Sequence, residues 1–554
     1  MEELEGRLSS AAHEALVASA VAARFNMLRV WGGGMFLPAP FYDACDASGV
    51  LVYHDMQYAQ QGHAPKATRL QEAELRHSIR RLSSHTSIVV WDGCNECRVV
   101  MGTPTAVYAS FVMTIVAEED RSRAVWPSCP ALGWRTGVRM LDSLPNGRPL
   151  TTPPRGPTIE THGPYQHGSG FPAANGNPTL RLFEPLVPIA VASRPTGPAL
   201  PNVFASEFGA VVMSSFESMA PTLAPEHWAL HAGQPDDTCP GGFERRCVGS
   251  NVMAERNYPC DSMIDVYFGM QPAGYYNQSG EASFKRQLYQ CMLSQAMHVK
   301  ADIEARRSQN ELGILVWQYN EIWPTGGWGS VEYGTPVAGQ VLGGRWKPLH
   351  YLYRRSVFTD VMAACGAGGA CYVKNDAAGE PFVGQVELAT LEFATGELAV
   401  LSTISVQLAA GPGVSERFHI GASIDGTTHM LIATCYRLCD GGHSSSESCG
   451  TTAPALSVNE ILLAPPKQLM LPLAMIDFVV ASTPNPDGSV DIRLTASATA
   501  LYVTLTTLAQ GRFSDNAFAM QPGNLTVTFL PNAPLSLPTL AKTLRVEHLQ
   551  QHLG

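Results

Sequence analysis

Between residues 26 and 323 short apolar runs alternate with helical or irregular stretches, and this alternation restricts the possible folds more than any other feature of the chain. The runs are NMLRVWG (26–32), VLVYHD (50–55), SIVVWDG (87–93), AVWPSCP (124–130), TIETHG (158–163), NVFASEFG (202–209) and GILVWQYNEIW (313–323). Apolar runs this short, rich in β-branched residues, read as strands buried on both faces. Between them, EAELRHSIRRLSSH (72–85) and FKRQLYQCMLSQAMHVKADIEARR (284–307) read as helices. Strands separated by helices make a parallel sheet, and this many repeats predict a (β/α)8 TIM barrel. Seven strands are found, and residues 1–24 read as the amphipathic helix that would follow a first one. A barrel short of a strand keeps an open hydrogen-bonding edge. The expectation is therefore a barrel lacking its first strand, cut from a longer protein, with closure by an irregular route as the alternative.

Beyond about residue 370 the pattern changes to short alternating strands separated by turn residues: VELATLEF, LAVLSTISVQL, FHIGASI, VDIRLTA, ALYVTLTTL and LTVTFLP. That is the pattern of immunoglobulin-like β-sandwiches. A chain of 554 residues also exceeds one ordinary domain. The predicted class is α/β plus all-β. A catalytic barrel (strands 2–8) occupies 1–365, one β-sandwich module 366–465, and a C-terminal β-sandwich module 466–554. Residues 130–200, rich in Pro and Gly, read as a lid or insertion.

A net charge of −11 and the lack of a Lys/Arg-rich run exclude nucleic acid and anionic membrane surfaces as partners. The most apolar stretch, LLAPPKQLMLPLAMIDFVVAS, contains Lys467, Asp477 and three prolines, so it is not a membrane span. Among the 13 cysteines, Cys239 with Cys247, Cys365 with Cys371, and Cys435, Cys439 and Cys449 are spaced to close small loops in an oxidising compartment; the alternative is reduced thiols. Cys94 and Cys97 form the one CxxC, without the second that a zinc site would need. The sequons at Asn277 and Asn524 suit a secreted or lumenal chain, although residues 1–24 carry no secretory signal.

Two of the strand runs end in a glutamate, Glu96 after SIVVWDGCN and Glu207 in NVFASEFG. Parallel barrels do their chemistry at the C-terminal ends of their strands. Two carboxyl groups on separate strands are the equipment for cleaving a glycosidic bond with retention. Gly32-Gly33-Gly34 lacks the GxGxxG spacing of a phosphate loop and is expected instead to let the backbone pass close to a bound sugar. No G-x-S-x-G supports a serine triad.

FNMLRVWGGGMF with FYDACDASGVLVYHDMQYA resembles the second and third barrel strands of the β-mannosidases of glycoside hydrolase family 2. WDGCNE resembles the strand of that family bearing its acid/base, and FASEFG the strand bearing its nucleophile. WQYNEIWPTGGWGSVEYG and GGRWKPLHYLYRR are similar to the last strand, its loop and the closing helix, and GRFSDNAFAM (511–520) to the C-terminal sandwich. Where the family runs Ser-Gly-Asn-Asn-Glu, this chain has Asp92-Gly93-Cys94-Asn95-Glu96. The family's N-terminal jelly-roll and first sandwich have no counterpart in the sequence.

The resemblance implies a retaining exo-glycosidase that removes terminal non-reducing β-D-mannose from oligosaccharides or glycoprotein glycans, with no metal or organic cofactor. It implies a lysosomal or secreted location. Another exo-glycosidase of the family (β-glucosaminidase or β-galactosidase) and a non-catalytic carbohydrate-binding remnant remain open. By resemblance Glu96 is the acid/base, kept protonated by burial beside Trp91 and a second carboxylate, and Glu207 is the nucleophile, kept ionised by a cation. Arg29 is that cation, or else part of a rim ion pair. Asn95 binds the hydroxyl next to the anomeric carbon, or caps the turn. Trp31 and Trp317 stack on the sugar, or pack in the core. His162 and Tyr165 offer a hydrogen bond that orients Glu207, or pack their loop, and Asp55 reads as a structural partner.

Overall fold

The computed structural model describes residues 9–59, 68–97, 111–126, 128–129, 158–166, 184–192, 202–233, 252–256, 260–332, 336–337, 340–341, 344–438, 454–532 and 534–553. Most of the 130–200 loop region and Cys239, Cys247, Cys439 and Cys449 lie outside these residues.

Each of the seven runs contains a strand: β1 (Met27–Val30), β2 (Leu51–Asp55), β3 (Ile88–Asp92), β4 (Ala124–Trp126), β5 (Thr158–Gln166), β6 (Asn202–Ala210) and β7 (Gly313–Ile314). They pair in parallel in chain order, as a four-stranded sheet β1-β2-β3-β4 and a three-stranded sheet β5-β6-β7. Among the described residues no ladder joins β4 to β5 or β7 to β1. The last run differs most from expectation. Only Gly313 and Ile314 are strand, and the chain then leaves the ladder through single bonds such as Leu315 N–H to Ala205 C=O and Trp317 N–H to Phe208 C=O.

The strands sort their side chains by the two-residue period, which a register shift between Ile88 and Val90 offsets by one residue in β3. Leu28, Val30, Val52, Ile88 and Trp91 face a cluster with Leu75, Ile79 and Leu82 of the helix Arg69–Leu82, which starts at a Thr68–Gln71 capping box. The opposite faces send Met27, Tyr53, Val90, Trp126, Phe204 and Leu315 into one packing cluster drawn from both sheets. One step further along the strands this apolar layer gives way to Arg29, Asp55 and Asp92, where the polar site begins.

The N-terminal helix Ser10–Ala22 is capped by Ser9 and held by elements remote in sequence. Tyr319 Oη donates to Leu16 C=O (2.6 Å), Trp346 Nε1 to Ser19 Oγ (3.2 Å), and His350 Nε2 lies 3.1 Å from Ser19 C=O. The helix predicted at 284–307 is longer, Glu281–Ser308, and buried along most of its length.

Two β-sandwiches follow. In the first, a sheet of Val361–Cys365, Ala370–Asn375 and Val414–His419 faces one of Leu398–Leu408, Phe382–Glu392, His429–Arg437 and Ala455–Ile461. Val361–Cys365 pairs in register with Ala370–Asn375, so the ladder spans the boundary expected at 365. Cys365 and Cys371, partners in that register, form a disulfide, whereas Cys435 is a buried thiol. The second sandwich stacks Ile476–Val480, Val490–Ala496, Gly523–Pro531 and Gly511–Phe513 on Phe518–Met520, Ala500–Thr506 and Arg545–Glu547. Arg355 fastens both to the first unit through Glu460 (2.9 Å) and Asp515 (3.1 Å).

Candidate active site

The polar site lies at the C-terminal ends of the strands and is organised by Arg29. Its guanidinium donates twice to Asp55 (Nε to Oδ1, 3.0 Å; Nη2 to Oδ2, 2.6 Å), once to Asn95 Oδ1 (2.7 Å) and, through Nη1, to Glu207 Oε1. Burial works against the charge, but Asp55, Cys129 and Glu207 outweigh it and hold the pKa of Arg29 well above its ordinary value. Arg29 is thus an internal cation joining β1, β2, β6 and the loop after β3. Asp55 is its bidentate partner and also accepts the Gly32 N–H (3.0 Å).

The β3 loop carries Asn95 and Glu96 between Cys94 and Cys97, which form a disulfide. Backbone bonds clamp the loop on both sides: Asn95 N–H to Tyr58 C=O (2.9 Å), Glu96 N–H to Cys129 C=O (2.8 Å) and Cys129 N–H to Cys94 C=O (3.1 Å). These bonds hold Glu96 at φ 51°, a left-handed conformation that a residue with a Cβ adopts only when its surroundings impose it. The burial beside Trp91 expected of Glu96 is not found. Trp91 packs among the helix-facing residues with Nε1 donating to Asp120 (2.9 Å), and the Glu96 side chain is 34% exposed at the mouth of the site.

Glu207, only 6% exposed, is held from both ends. Arg29 takes Oε1, and Tyr165 Oη donates to Oε2 at 2.5 Å. Burial, reinforced by Glu207, pushes the Tyr165 pKa far up, so the phenol stays a donor. His162 Nε2 stands between the two glutamates, 3.0 Å from Glu96 Oε1 and 3.3 Å from Glu207 Oε2. An oxygen of each glutamate and a ring nitrogen of His162 all lie within 4.8 Å of one another. Trp31 and Trp317 are half-buried beside the site, their ring centroids 5.2 Å apart and tilted by 59°. A Cβ on Gly33 would strike the Trp31 ring, and one on Gly32 would strike the Met56 and Tyr58 carbonyls. Those glycines accommodate protein neighbours, which corrects the expectation that they make room for a sugar.

The sequence reading missed the layer beneath. Tyr53 Oη donates to Asp92 Oδ2 (2.9 Å), and burial together with Asp55 holds Asp92 well above the usual carboxylate range. Glu160 is also raised, chiefly by burial. Its signal was present: Glu160 stands two residues before His162 on one strand, and the two-residue period puts both on the same face. Cys129, Glu160 and His162 form one group with the spacing of metal ligands, and Glu96, His162 and Glu207 form another.

Comparison with known proteins adds the following. The Ig_mannosidase family, an Ig-fold domain, matches residues 475–552. A β-mannosidase of Bos taurus is 27% identical over 384 residues, covering 64% of this chain and 37% of that protein. One of Mus musculus is 24% identical over 587 residues, covering 99% of this chain and 59% of that protein. This chain thus spans well under two thirds of the length of the relatives it matches. Among solved structures, β-D-mannosidase from Dictyoglomus thermophilum superposes with a TM-score of 0.62 at 21% identity, covering 98% of this chain and 58% of that one. Exo-chitosanase CsxA from Amycolatopsis orientalis gives 0.61 at 12% identity, with coverage of 98% and 61%. These two likenesses are likenesses of fold. Among the described residues, no helix is long and apolar enough to cross a membrane.

Proposed function

We propose that this chain is a β-mannosidase relative of the glycoside hydrolase family 2 type, with Glu96 and Glu207 as the acid/base and the nucleophile of a retaining exo-acting β-mannosidase. The observation that carries the reading is their common contact with His162, which puts their nearest oxygens within 4.8 Å. Retaining enzymes keep the two carboxyl groups about 5–5.5 Å apart, whereas inverting ones leave about 6.5–9.5 Å for a water. The parallel strands read as a (β/α)8 barrel lacking its first strand, supported by the interior cluster that unites both sheets. In this reading the barrel is followed by sandwich modules, the first beginning at Val361.

In the first step Glu207 attacks the anomeric carbon as Glu96 transfers its proton to the departing glycosidic oxygen. In the second, Glu96 takes a proton from water, whose oxygen displaces Glu207 and restores the starting configuration. The bonds from Arg29 and Tyr165 stabilise the carboxylate form of Glu207 and aim it. Asn95, its Oδ1 fixed by Arg29, keeps Nδ2 as a donor for the hydroxyl beside the anomeric carbon. Trp31 and Trp317 border the space a sugar ring would fill. A lysosomal or secreted location accords with this activity, with glycans as substrate and without nucleic acid or membrane as partner.

The test is hydrolysis of aryl β-mannoside, β-glucosaminide and β-galactoside by this chain and by a version extended upstream. Mannoside turnover with β-mannose as the first product, seen by NMR before mutarotation, supports the reading. An inverted first product, or preference for another glycoside, overturns it. In the active form, Tyr165→Phe removes a hydrogen bond to a charged group worth about 2 kcal/mol, so kcat is expected to fall roughly thirtyfold. Unchanged kcat would remove Tyr165 from the machinery.

A further inference from the structure

On the far side of His162 from the two glutamates, three donor atoms converge. Cys129 Sγ, a Glu160 carboxylate oxygen and a His162 ring nitrogen all lie within 4.8 Å of one another. Cys129 Sγ and His162 Nδ1 are 3.6 Å apart. A tetrahedral cation with metal–sulfur bonds of about 2.3 Å and metal–nitrogen bonds of about 2.1 Å places those two atoms about 3.6 Å apart. The separation is compatible with a shared ion, which would take the place of the contact between Nδ1 and Ser206 Oγ (3.0 Å).

A second observation concerns Glu160, which is 2% exposed and whose two oxygens have no well-formed hydrogen bond among the described residues. The Ser206 hydroxyl and the Cys129 thiol are the donors near enough to offset part of its burial. Ser206 Oγ is directed to Thr161 C=O (3.3 Å) and to His162 Nδ1 (3.0 Å). Buried carboxylates are almost always paired, because leaving one without a donor costs several kcal/mol. Arg29 acts on Glu160 only at a distance, its guanidinium being bonded to Asp55 and Glu207.

We propose that Cys129, Glu160 and His162 form a binding site for a divalent cation that accepts sulfur and nitrogen ligands, of the zinc type, directly behind the glutamate pair. On binding, the Cys129 thiol releases its proton to solvent and the sulfur lone pair joins the metal. The Nδ1 lone pair of His162 does the same, which fixes the ring proton on Nε2. That nitrogen faces Glu96 and Glu207, so occupancy sets the tautomer seen by both glutamates. The site is distinct from the two-carboxylate chemistry and does not depend on the mannosidase reading.

Cadmium(II) titrated into the whole chain is the probe, followed through the ultraviolet thiolate-to-cadmium charge-transfer band and the protons released. Cys129→Ser is expected to lose one equivalent of bound cadmium relative to the unmodified chain, while Cys45→Ser, at a buried thiol elsewhere, loses none. Glu160→Gln is expected to bind that equivalent roughly tenfold or more weakly. Equal stoichiometry in the unmodified chain and a folded Cys129→Ser overturns the proposal. If circular dichroism shows that Cys129→Ser does not fold, Glu160→Gln decides, and unchanged affinity there overturns it equally.

Discussion

Glu207→Ala in an active form of the enzyme is expected to lower turnover of an aryl β-mannoside by about 10⁴–10⁶-fold, on the scale of losing a covalent nucleophile. Sodium azide should then restore product formation as a glycosyl azide of inverted configuration. The space left by the carboxylate admits the small anion, which attacks the face that Glu207 occupied. The structure gives a reason to expect rescue rather than collapse. Arg29 retains its two bonds to Asp55 and its bond to Asn95 when Glu207 is removed, and Tyr165 loses one acceptor. The same azide given to Glu96→Ala should yield the azide of retained configuration, because there the covalent intermediate still forms. If both variants gave the same anomer, or if Glu207→Ala kept its activity, the roles assigned to the two residues would be wrong.

Lys347→Ala is expected to destabilise the first unit by about 3–5 kcal/mol. In a unit of this size that corresponds to a melting temperature lower by roughly 5 °C in calorimetry. Lys347 and Glu321 are 0% and 1% exposed, with Nζ 2.5 Å from Oε1. The same oxygen accepts the Gly329 N–H (3.0 Å), and burial, opposed chiefly by Lys347, holds Glu321 above its usual range. Removing the lysine strands a buried carboxylate. Replacing both residues together with apolar ones of similar volume should recover most of the loss, since neither partner is then left alone. A single mutant within about half a kcal/mol of the parent, or a double mutant worse than the single, would exclude this account.

The parts of the fold legible in the sequence were those with local causes. Glu96 and Glu207 could be placed at strand ends because the apolar runs before them are short and β-branched. All seven runs yielded strands for the same reason. GILVWQYNEIW misled because periodicity cannot see where a ladder ends, and here pairing with Phe204 and Ala205 stops at Ile314. Trp91 misled because a strand residue's face follows from its register, and its register sends it to the helices. The Arg29 network, the orphaned carboxylate of Glu160 and the Lys347–Glu321 pair are long-range, joining residues that lie far apart along the chain. Their residue types alone also fit surface charges. Arg29 and His162 were proposed from their places at strand ends, and Glu160 needed only the alternation of its own strand.

The N-terminal helix has a bearing on how the protein is made. Its polar anchors are Tyr319, Trp346 and His350, some three hundred residues further along the chain. On a ribosome adding about 5–20 residues per second, Ser19 emerges roughly twenty seconds to a minute before His350 exists. During that interval Val17 and Ala20 can already pack with Leu28, Val30, Phe41 and Tyr42, but the three polar anchors are missing, and loop closure over so long a segment is slow in itself. The helix is therefore packed early and fastened late, and slower translation would lengthen the interval between the two.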